Sequence, residues 1–96
     1  MRRAGRAGFR RNVAVALGNW GDEAAVPSLK SGLSDPDPLV RSHSAWALGR
    51  VASFSAVTVL GDALSVETDH AVIDEIRDAL VAASSASADD RGIPAR

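Results

Sequence analysis

The feature that most constrains the fold of this chain is an internal repeat with a period of about 30 residues. The shift that moves Arg10 onto Arg41 also superimposes Ala16-Leu17-Gly18 on Ala47-Leu48-Gly49. A second shift, longer by one position, brings the Ala-Leu pair at 47–48 onto Ala79-Leu80. A period of this length is typical of stacked supersecondary units, each of which buries its apolar face against its neighbours.

Apolar residues recur at helical spacing in five segments, and no strand pattern competes with them. The predicted helices span residues 9–20, 23–33, 38–52, 55–65 and 69–84. The sequence therefore predicts an all-α fold, a short α-solenoid of two and a half antiparallel helix pairs. The side chains predicted to face inward are Phe9, Val13, Ala16, Leu17, Trp20, Val26, Leu29, Leu33, Val40, Ala47, Leu48, Val51, Val57, Leu60, Leu64, Val72, Ile76, Ala79, Leu80 and Ala83.

Short polar side chains mark the starts of the predicted helices, because their oxygens can accept the free N–H groups of a first turn. The expected N-caps are Asp22, Asp37, either Ser53 or Ser55, and either Thr68 or Asp69. Around this repeat domain, residues 9–84, we expect a basic N-terminal arm over residues 1–8 and a disordered polar tail over residues 85–96.

The composition excludes several classes of function. The chain has no cysteine and only two distant histidines, so neither an iron–sulfur cluster nor a thiolate or histidine metal site is expected. Its longest uncharged stretch, residues 51–61, is too short to cross a bilayer. No secretory signal, catalytic triad or phosphate-binding loop is present in the sequence. We expect a cytoplasmic protein with no cofactor, no small-molecule substrate and no enzymatic activity by itself.

The charge is divided unevenly along the chain. Residues 1–50 carry eight basic and four acidic groups, whereas residues 51–96 carry three basic and eight acidic groups. Five arginines fall within the first eleven residues with no acid among them. Such a cluster suits a polyanionic partner, although a solvated chain end would have the same composition.

Two sets of residues carry a family resemblance. Asp35-Pro36-Asp37-Pro38-Leu39-Val40-Arg41, followed by Ala45-Trp46-Ala47-Leu48-Gly49, resembles HEAT repeats of the phycobilisome-lyase type. The segments 3–19 and 38–50 together resemble the C-terminal HEAT-like domain of the epoxyqueuosine reductase family. In that family the domain follows a catalytic part and helps to hold the tRNA whose wobble base is reduced.

This resemblance implies a tRNA-binding module within queuosine modification. The enzymes of that family use cobalamin and two iron–sulfur clusters, whose cysteine ligands are missing here. The resemblance thus implies a recognition module that is not catalytic by itself. The alternative is a stand-alone HEAT-repeat module that binds or scaffolds another protein.

The candidate RNA-binding residues are cationic or able to become so. They are Arg2, Arg3, Arg6, Arg10, Arg11, Arg41, His43 and Arg50. Each has a structural alternative. Arg10 and Arg11 could simply face solvent, and Arg41 could join neighbouring repeats by pairing with Asp35 or Asp37.

Aromatic residues add a second possible mode of RNA contact. His43, Trp46 and Arg50 share one face of the third predicted helix, where they could stack on a base and bind a phosphate. Trp46 is expected mainly to cover the helix pair, and Trp20 to pack at a helix end. For His43 both roles stay open, contact with RNA and packing against the helix pair.

Overall fold

The computed structural model describes the backbone from Arg2 to Gly92, and the side chains of residues 10–85. Within these residues every regular element is a helix and no strand is present, which confirms the predicted all-α class. The helices are α1 (Arg2–Trp20), α2 (Val26–Gly32), α3 (Pro38–Val51), α4 (Phe54–Val66) and α5 (His70–Gly92), and a 3₁₀ turn, Glu23–Ala25, precedes α2.

The five helices form two layers. The first helices of the repeats, α1, α3 and α5, lie side by side, and the second helices, α2 and α4, pack against them. Helix α3 is the centre of the molecule, because it contacts each of the other four helices. This is the arrangement of a helical solenoid with two and a half repeats.

The core follows the predicted spacing in α2 to α5, except that Val57 of α4 does not belong to the buried cluster. The largest fully buried apolar side chains are Leu29, Val40, Leu48, Leu60, Val72 and Ile76. Leu17 and Leu80 are partly buried and pack against this cluster. The sequence missed Ala56, which is fully buried at the start of α4.

The apolar stripe predicted for α1 is not buried as expected. Ala14 and Gly18 are buried, but Val13 is 41% and Trp20 60% exposed, and Ala16 is exposed as well. The prediction that Trp20 packs at a helix end is therefore wrong. Helix α3 packs closely against α1 on the side that carries Ala14 and Gly18, because only small residues permit this distance. Val13 and Trp20 therefore remain exposed. The side chain of Phe9 lies outside the described residues.

The helix starts agree with the capping chemistry. Asp22, Asp37 and Asp69 accept backbone N–H groups of Ala24, Leu39 and Ala71 at 2.8, 2.8 and 2.9 Å. Ser53, rather than Ser55, accepts the N–H of Ala56 at 3.1 Å. Each acceptor satisfies a donor that the helix itself leaves unpaired.

Two helices end in the same way, at equivalent positions of successive repeats. Gly21 has φ 70° and donates its N–H to Leu17 O at 3.0 Å after α1. Ala52 has φ 56° and donates to Leu48 O at 3.0 Å after α3. Glycine adopts this left-handed conformation without strain, whereas alanine does so at a cost of about 1 kcal/mol.

The predicted arm and tail are not separate segments of the structure. Helix α1 begins at Arg2, so residues 2–8 belong to it, because arginine and alanine favour helix and no proline interrupts them. Helix α5 continues through the predicted tail boundary to Gly92. Residues 93–96 lie outside the described residues.

Candidate functional site

Arg10 forms an ion pair with an acidic residue of the following loop. It lies on α1, and its Nη2 donates a hydrogen bond to Oδ1 of Asp35 at 3.2 Å, while its Nε lies beside Oδ2 of the same carboxylate. The side chain of Asp35 is only 9% exposed. The two residues join α1 to the loop that leads into α3, so Arg10 is committed to holding the repeat together.

The guanidinium of Arg41 makes more hydrogen bonds than that of Arg10. Its Nε and Nη2 donate to the two carboxylate oxygens of Glu67 at 3.0 and 3.2 Å. Its Nη1 donates to the backbone carbonyls of Asp35 and Pro36 at 2.8 and 3.2 Å. The side chain of Arg41 thus links two repeats, as one of the sequence alternatives held, but its acidic partner is Glu67 and not Asp35 or Asp37.

The two ion pairs occupy equivalent positions in successive repeats. The first shift of the repeat takes Arg10 to Arg41, and the second shift, longer by one position, takes Asp35 to Glu67. In each case the acid also accepts the N–H of the residue two positions later, Asp37 at 2.8 Å and Asp69 at 3.0 Å. Those two aspartates in turn cap α3 and α5, so each arginine positions the start of the next first helix.

The electrostatics of both acids follow from this geometry. Burial alone would raise the pKa of Asp35, but the Asp37 N–H and the Arg10 guanidinium hold it below the usual range. Burial likewise acts to raise the pKa of Glu67, and the Asp69 N–H and Arg41 outweigh it. Both carboxylates therefore remain charged at neutral pH and stabilise the fold in that form.

A groove on the layer of first helices contains one of the remaining candidates, His43. It has a volume of about 320 Å³ and is lined by Val15, Ser42, His43, Trp46 and Glu75, one or more from each of α1, α3 and α5. The guanidinium of Arg50 lies 5.6 Å from the centre of the Trp46 ring. This distance is within the range of a cation–π contact.

His43 presents a defined atom to this groove. Its Nδ1 is 2.8 Å from the backbone carbonyl of Leu39, and a carbonyl can only accept, so Nδ1 carries the proton in this contact. The Nε2 atom is left to accept from a ligand, or to donate when the ring is protonated. Across the groove, burial and the neighbouring Asp78 raise the pKa of Glu75, while His43 acts in the opposite direction.

Trp46 combines packing with partial exposure. A methyl group built on Gly18 would lie 2.6 Å from Cζ3 of Trp46, so the ring rests directly against the α1 backbone. The residue is half-buried and packs on the core. The expectation that Trp46 covers the helix pair is met, and part of the ring still borders the groove.

The structure thus divides the predicted RNA-binding residues. Arg10 and Arg41 are used internally. His43 lines the groove, and Arg50 lies over the ring of Trp46, which also lines it. Arg11 is half-buried one helical turn from Val15, on the same side of α1. The backbone of Arg2, Arg3 and Arg6 lies in α1, and their side chains are outside the described residues.

Sequence reasoning missed two acidic residues of this region. Glu67 could have been found from the repeat, because the shift that takes Leu48 to Leu80 also takes Asp35 to Glu67. Glu75 gave no comparable signal, since its role depends on α5 crossing α3. In the described part of the chain no group of His, Asp or Glu is arranged to hold a metal ion. None of the described helices combines the length and the apolar character that a membrane span requires.

The repeat region of the chain is similar to known proteins. A family model described as HEAT repeats matches residues 1–81. An uncharacterised protein encoded in the 3′ region of gldA in Geobacillus stearothermophilus is 37% identical over 73 residues, which are 75% of this chain and 34% of that protein. Epoxyqueuosine reductase of Listeria monocytogenes is 33% identical over 73 residues, 75% of this chain and 19% of the enzyme.

A functionally different relative matches as well. Deoxyhypusine hydroxylase of Bos taurus is 40% identical over 60 residues, which cover 60% of this chain and 20% of that protein. The chain therefore spans only about a fifth to a third of the length of these curated relatives. No solved structure matches. The resemblance to part of epoxyqueuosine reductase, predicted from the sequence, is confirmed.

Proposed function

Because the chain belongs to the HEAT-repeat family, we propose that it is a tRNA-binding module without catalytic activity of its own. Its similarity to part of epoxyqueuosine reductase supports this proposal, since the resemblance implies that this part of the enzyme helps to hold tRNA. The proposed process is queuosine modification in the cytoplasm. The chain has no cysteine with which to ligate a cluster, and we assign it no cofactor.

The observation that carries the proposal is the groove between α1, α3 and α5. It brings the half-exposed ring of Trp46, the imidazole of His43 and the guanidinium of Arg50 to one surface. Nucleic-acid interfaces combine arginine contacts to phosphates with aromatic or guanidinium planes on which bases stack. Arg11 lies at the α1 side of this surface, where it would contact a phosphate of the same RNA.

The test is a titration of labelled tRNA at several salt concentrations. Replacing Arg11 and Arg50 by alanine should weaken binding and reduce the magnitude of the salt slope by about one to two units, because each lost phosphate contact contributes roughly 0.7–0.9. Arg10 is unsuitable for this test, since its removal would leave Asp35 unpaired and disturb the fold.

Lys30→Ala is the control, to be compared with the single replacements of Arg11 and of Arg50 by alanine. Lys30 is an exposed cation on α2, in the opposite layer, so its removal changes the net charge without touching the groove. We expect this variant to keep the salt slope of the unmodified chain. No binding at low salt, or equal effects at Lys30 and at the groove, would contradict the proposal.

A protein partner is the second candidate, and the exposed side of α1 favours it. Val13 and Trp20 are 41% and 60% exposed, although their spacing is that of a buried helix face. The acidic second half of the chain also suits a protein surface better than an RNA.

A further inference from the structure

Three exposed residues of α1 occupy positions that are covered elsewhere in the molecule. In the repeat alignment Val13, Ala16 and Trp20 correspond to Ser44, Ala47 and Val51 of α3. The next step of the repeat leads to Ile76, Ala79 and Ala83 of α5. In α3 and α5 these positions are buried, apart from the half-buried Val51, whereas in α1 all three are exposed.

We call this set of positions the receiving face of a first helix, because the preceding repeat packs on it. A methyl group built on Gly18 would lie 2.9 Å from the Cα of Ala47, and one on Gly49 would lie 2.9 Å from the Cα of Ala79. Each crossing therefore places a glycine of one first helix against an alanine of the next. Ala16 is the equivalent alanine of α1.

The second helices contribute to the same interface. A methyl group built on Gly32, at the end of α2, would lie 2.0 Å from Oγ of Ser44. Hence Ser44 is covered by the second helix of the preceding repeat. Val13 is the position of α1 equivalent to Ser44, and the side of a second helix would cover it in the same way.

Arg10 supplies a further part of this interface. Its equivalent, Arg41, pairs with the acid that follows its own repeat and also donates Nη1 to the Asp35 and Pro36 carbonyls of the preceding loop. Among the described residues, the hydrogen bond of Arg10 goes to the following acid, Asp35. A preceding loop would complete the set of acceptors that Arg41 has.

We propose that the receiving face of α1, formed by Val13, Ala16 and Trp20, is the docking site for a HEAT-type helical hairpin of a partner protein. The hairpin is recognised by a glycine opposite Ala16, a small residue of its second helix opposite Val13, and loop carbonyls near Arg10. None of these three residues is the one that packs against Ala47 of α3, which is Gly18, and Val13 borders a cavity that α2 also lines. The proposed RNA groove is bordered by a different residue of α1, Val15. The two sites can therefore be tested separately.

A second copy of this chain does not provide such a hairpin. The glycines at the equivalent position, Gly18 and Gly49, already pack against Ala47 and Ala79. The third equivalent position is Val81 on α5, whose larger side chain is 66% exposed and would prevent a close crossing. The observations consequently favour a partner with a free HEAT-type hairpin over self-association.

The docking can be tested with a probe of residues 1–69, which keeps α1 to α4 packed on one another with both ion pairs and ends in the hairpin that contains Gly49. It is joined to the intact N-terminus of the chain through a flexible linker of about ten residues, whose typical span of roughly 17 Å suffices for docking. The linkage raises the effective concentration of the probe to the millimolar range, so weak docking becomes measurable.

The readout is the reaction rate of a single introduced cysteine with a thiol reagent, since the chain has none of its own. At Val13→Cys the rate should fall about tenfold or more when the hairpin is attached. At Ala82→Cys, an exposed position of α5, the rate should not change. Equal rates at Val13→Cys with and without the hairpin would overturn the proposal.

A second substitution establishes the geometry. Ala16→Leu adds bulk at the point where the glycine must approach, and because Ala16 is exposed it should leave the melting temperature of the unmodified chain unchanged. In the linked protein it should restore fast labelling at Val13→Cys. Protection that survives Ala16→Leu would show a different mode of contact. Concentration-dependent protection of Val13→Cys in the chain without the linked hairpin would show self-association, and either result would refute the proposal.

Discussion

At the scale of single residues, the roles of two equivalent arginines are determined by the acidic residues with which they form ion pairs. Arg10 and Arg41 occupy the same position in successive repeats, and each holds a largely buried carboxylate. Arginine suits this position because its planar guanidinium can donate to both carboxylate oxygens and to neighbouring carbonyls at once. A residue with this many fixed partners is poorly available to an RNA.

Removing Arg41 should therefore destabilise the protein strongly. Arg41→Met keeps much of the apolar stem but leaves Glu67, whose side chain is 7% exposed, without its cation. Breaking a buried pair in this way costs about 3–5 kcal/mol of unfolding free energy. Urea unfolding at pH 7 measures the loss. Arg77→Met, which removes an exposed arginine of α5, should change the stability by no more than about 0.5 kcal/mol.

The same pair should shape the acid limb of the stability profile. The folded-state pKa of Glu67 lies below its unfolded value, so its contribution is complete above about pH 4.5 and is lost as the pH falls through the folded pKa. Glu67→Gln should make stability less dependent on pH in that range. If Arg41→Met lost as much stability between pH 5 and pH 3 as the unmodified chain, the pair would not be responsible.

At the scale of the elements, the spacing between helices depends on glycines that a sequence reading treats as weak points. Gly18 and Gly49 lie near the ends of α1 and α3, where glycine usually lowers helix stability. Both instead allow the backbone of the next first helix to approach closely. Their cost in helix propensity is offset by the packing that the close crossing permits.

Two glycine-to-alanine substitutions should consequently change the stability of the fold in opposite directions. Gly49→Ala places a methyl group 2.9 Å from the Cα of Ala79, and this overpacking should cost about 1–3 kcal/mol. Gly61→Ala, within α4, meets no atom within 4 Å and should stabilise the fold by roughly 0.5–1 kcal/mol. Thermal melts of both variants test the pair. A stabilising Gly49→Ala would mean that α3 and α5 cross at a greater distance.

At the scale of the whole molecule, stability is distributed unevenly along the stack. Repeat proteins gain stability from each unit and from each interface between neighbours. Helix α3 has neighbours on both sides and contacts all four other helices, whereas α1 and α5 lie at the two ends. Equivalent residues should therefore differ in importance according to their place in the stack.

Leu48→Ala should be much more damaging than Leu80→Ala. Leu48 is fully buried in α3, and its repeat equivalent Leu80 is only partly buried in α5. Truncating the buried leucine should cost about 2–5 kcal/mol. That is a large fraction of the roughly 5–15 kcal/mol that stabilises a typical domain. The midpoints of urea unfolding compare the two variants, and equal losses would contradict the central position of α3.

The sequence by itself determined the helical class, the repeat, the capping aspartates and the core of α2 to α5. These features follow from local hydrogen bonding and from side-chain periodicity, which neighbouring residues specify. The repeat alignment also places Glu67 at the position of Asp35, so the pairing of Arg41 with Glu67 follows from comparing the two repeats.

Only the tertiary structure decided which side of α1 is covered. That helix has two sides that could be buried, one with Ala14 and Gly18 and one with Val13 and Trp20, and the larger residues made the second appear to be the core face. Burial depends on what packs against a surface, so periodicity identifies an apolar side without specifying its neighbour. Here α3 covers the small residues, because only they permit a close crossing, and the larger side of α1 remains exposed.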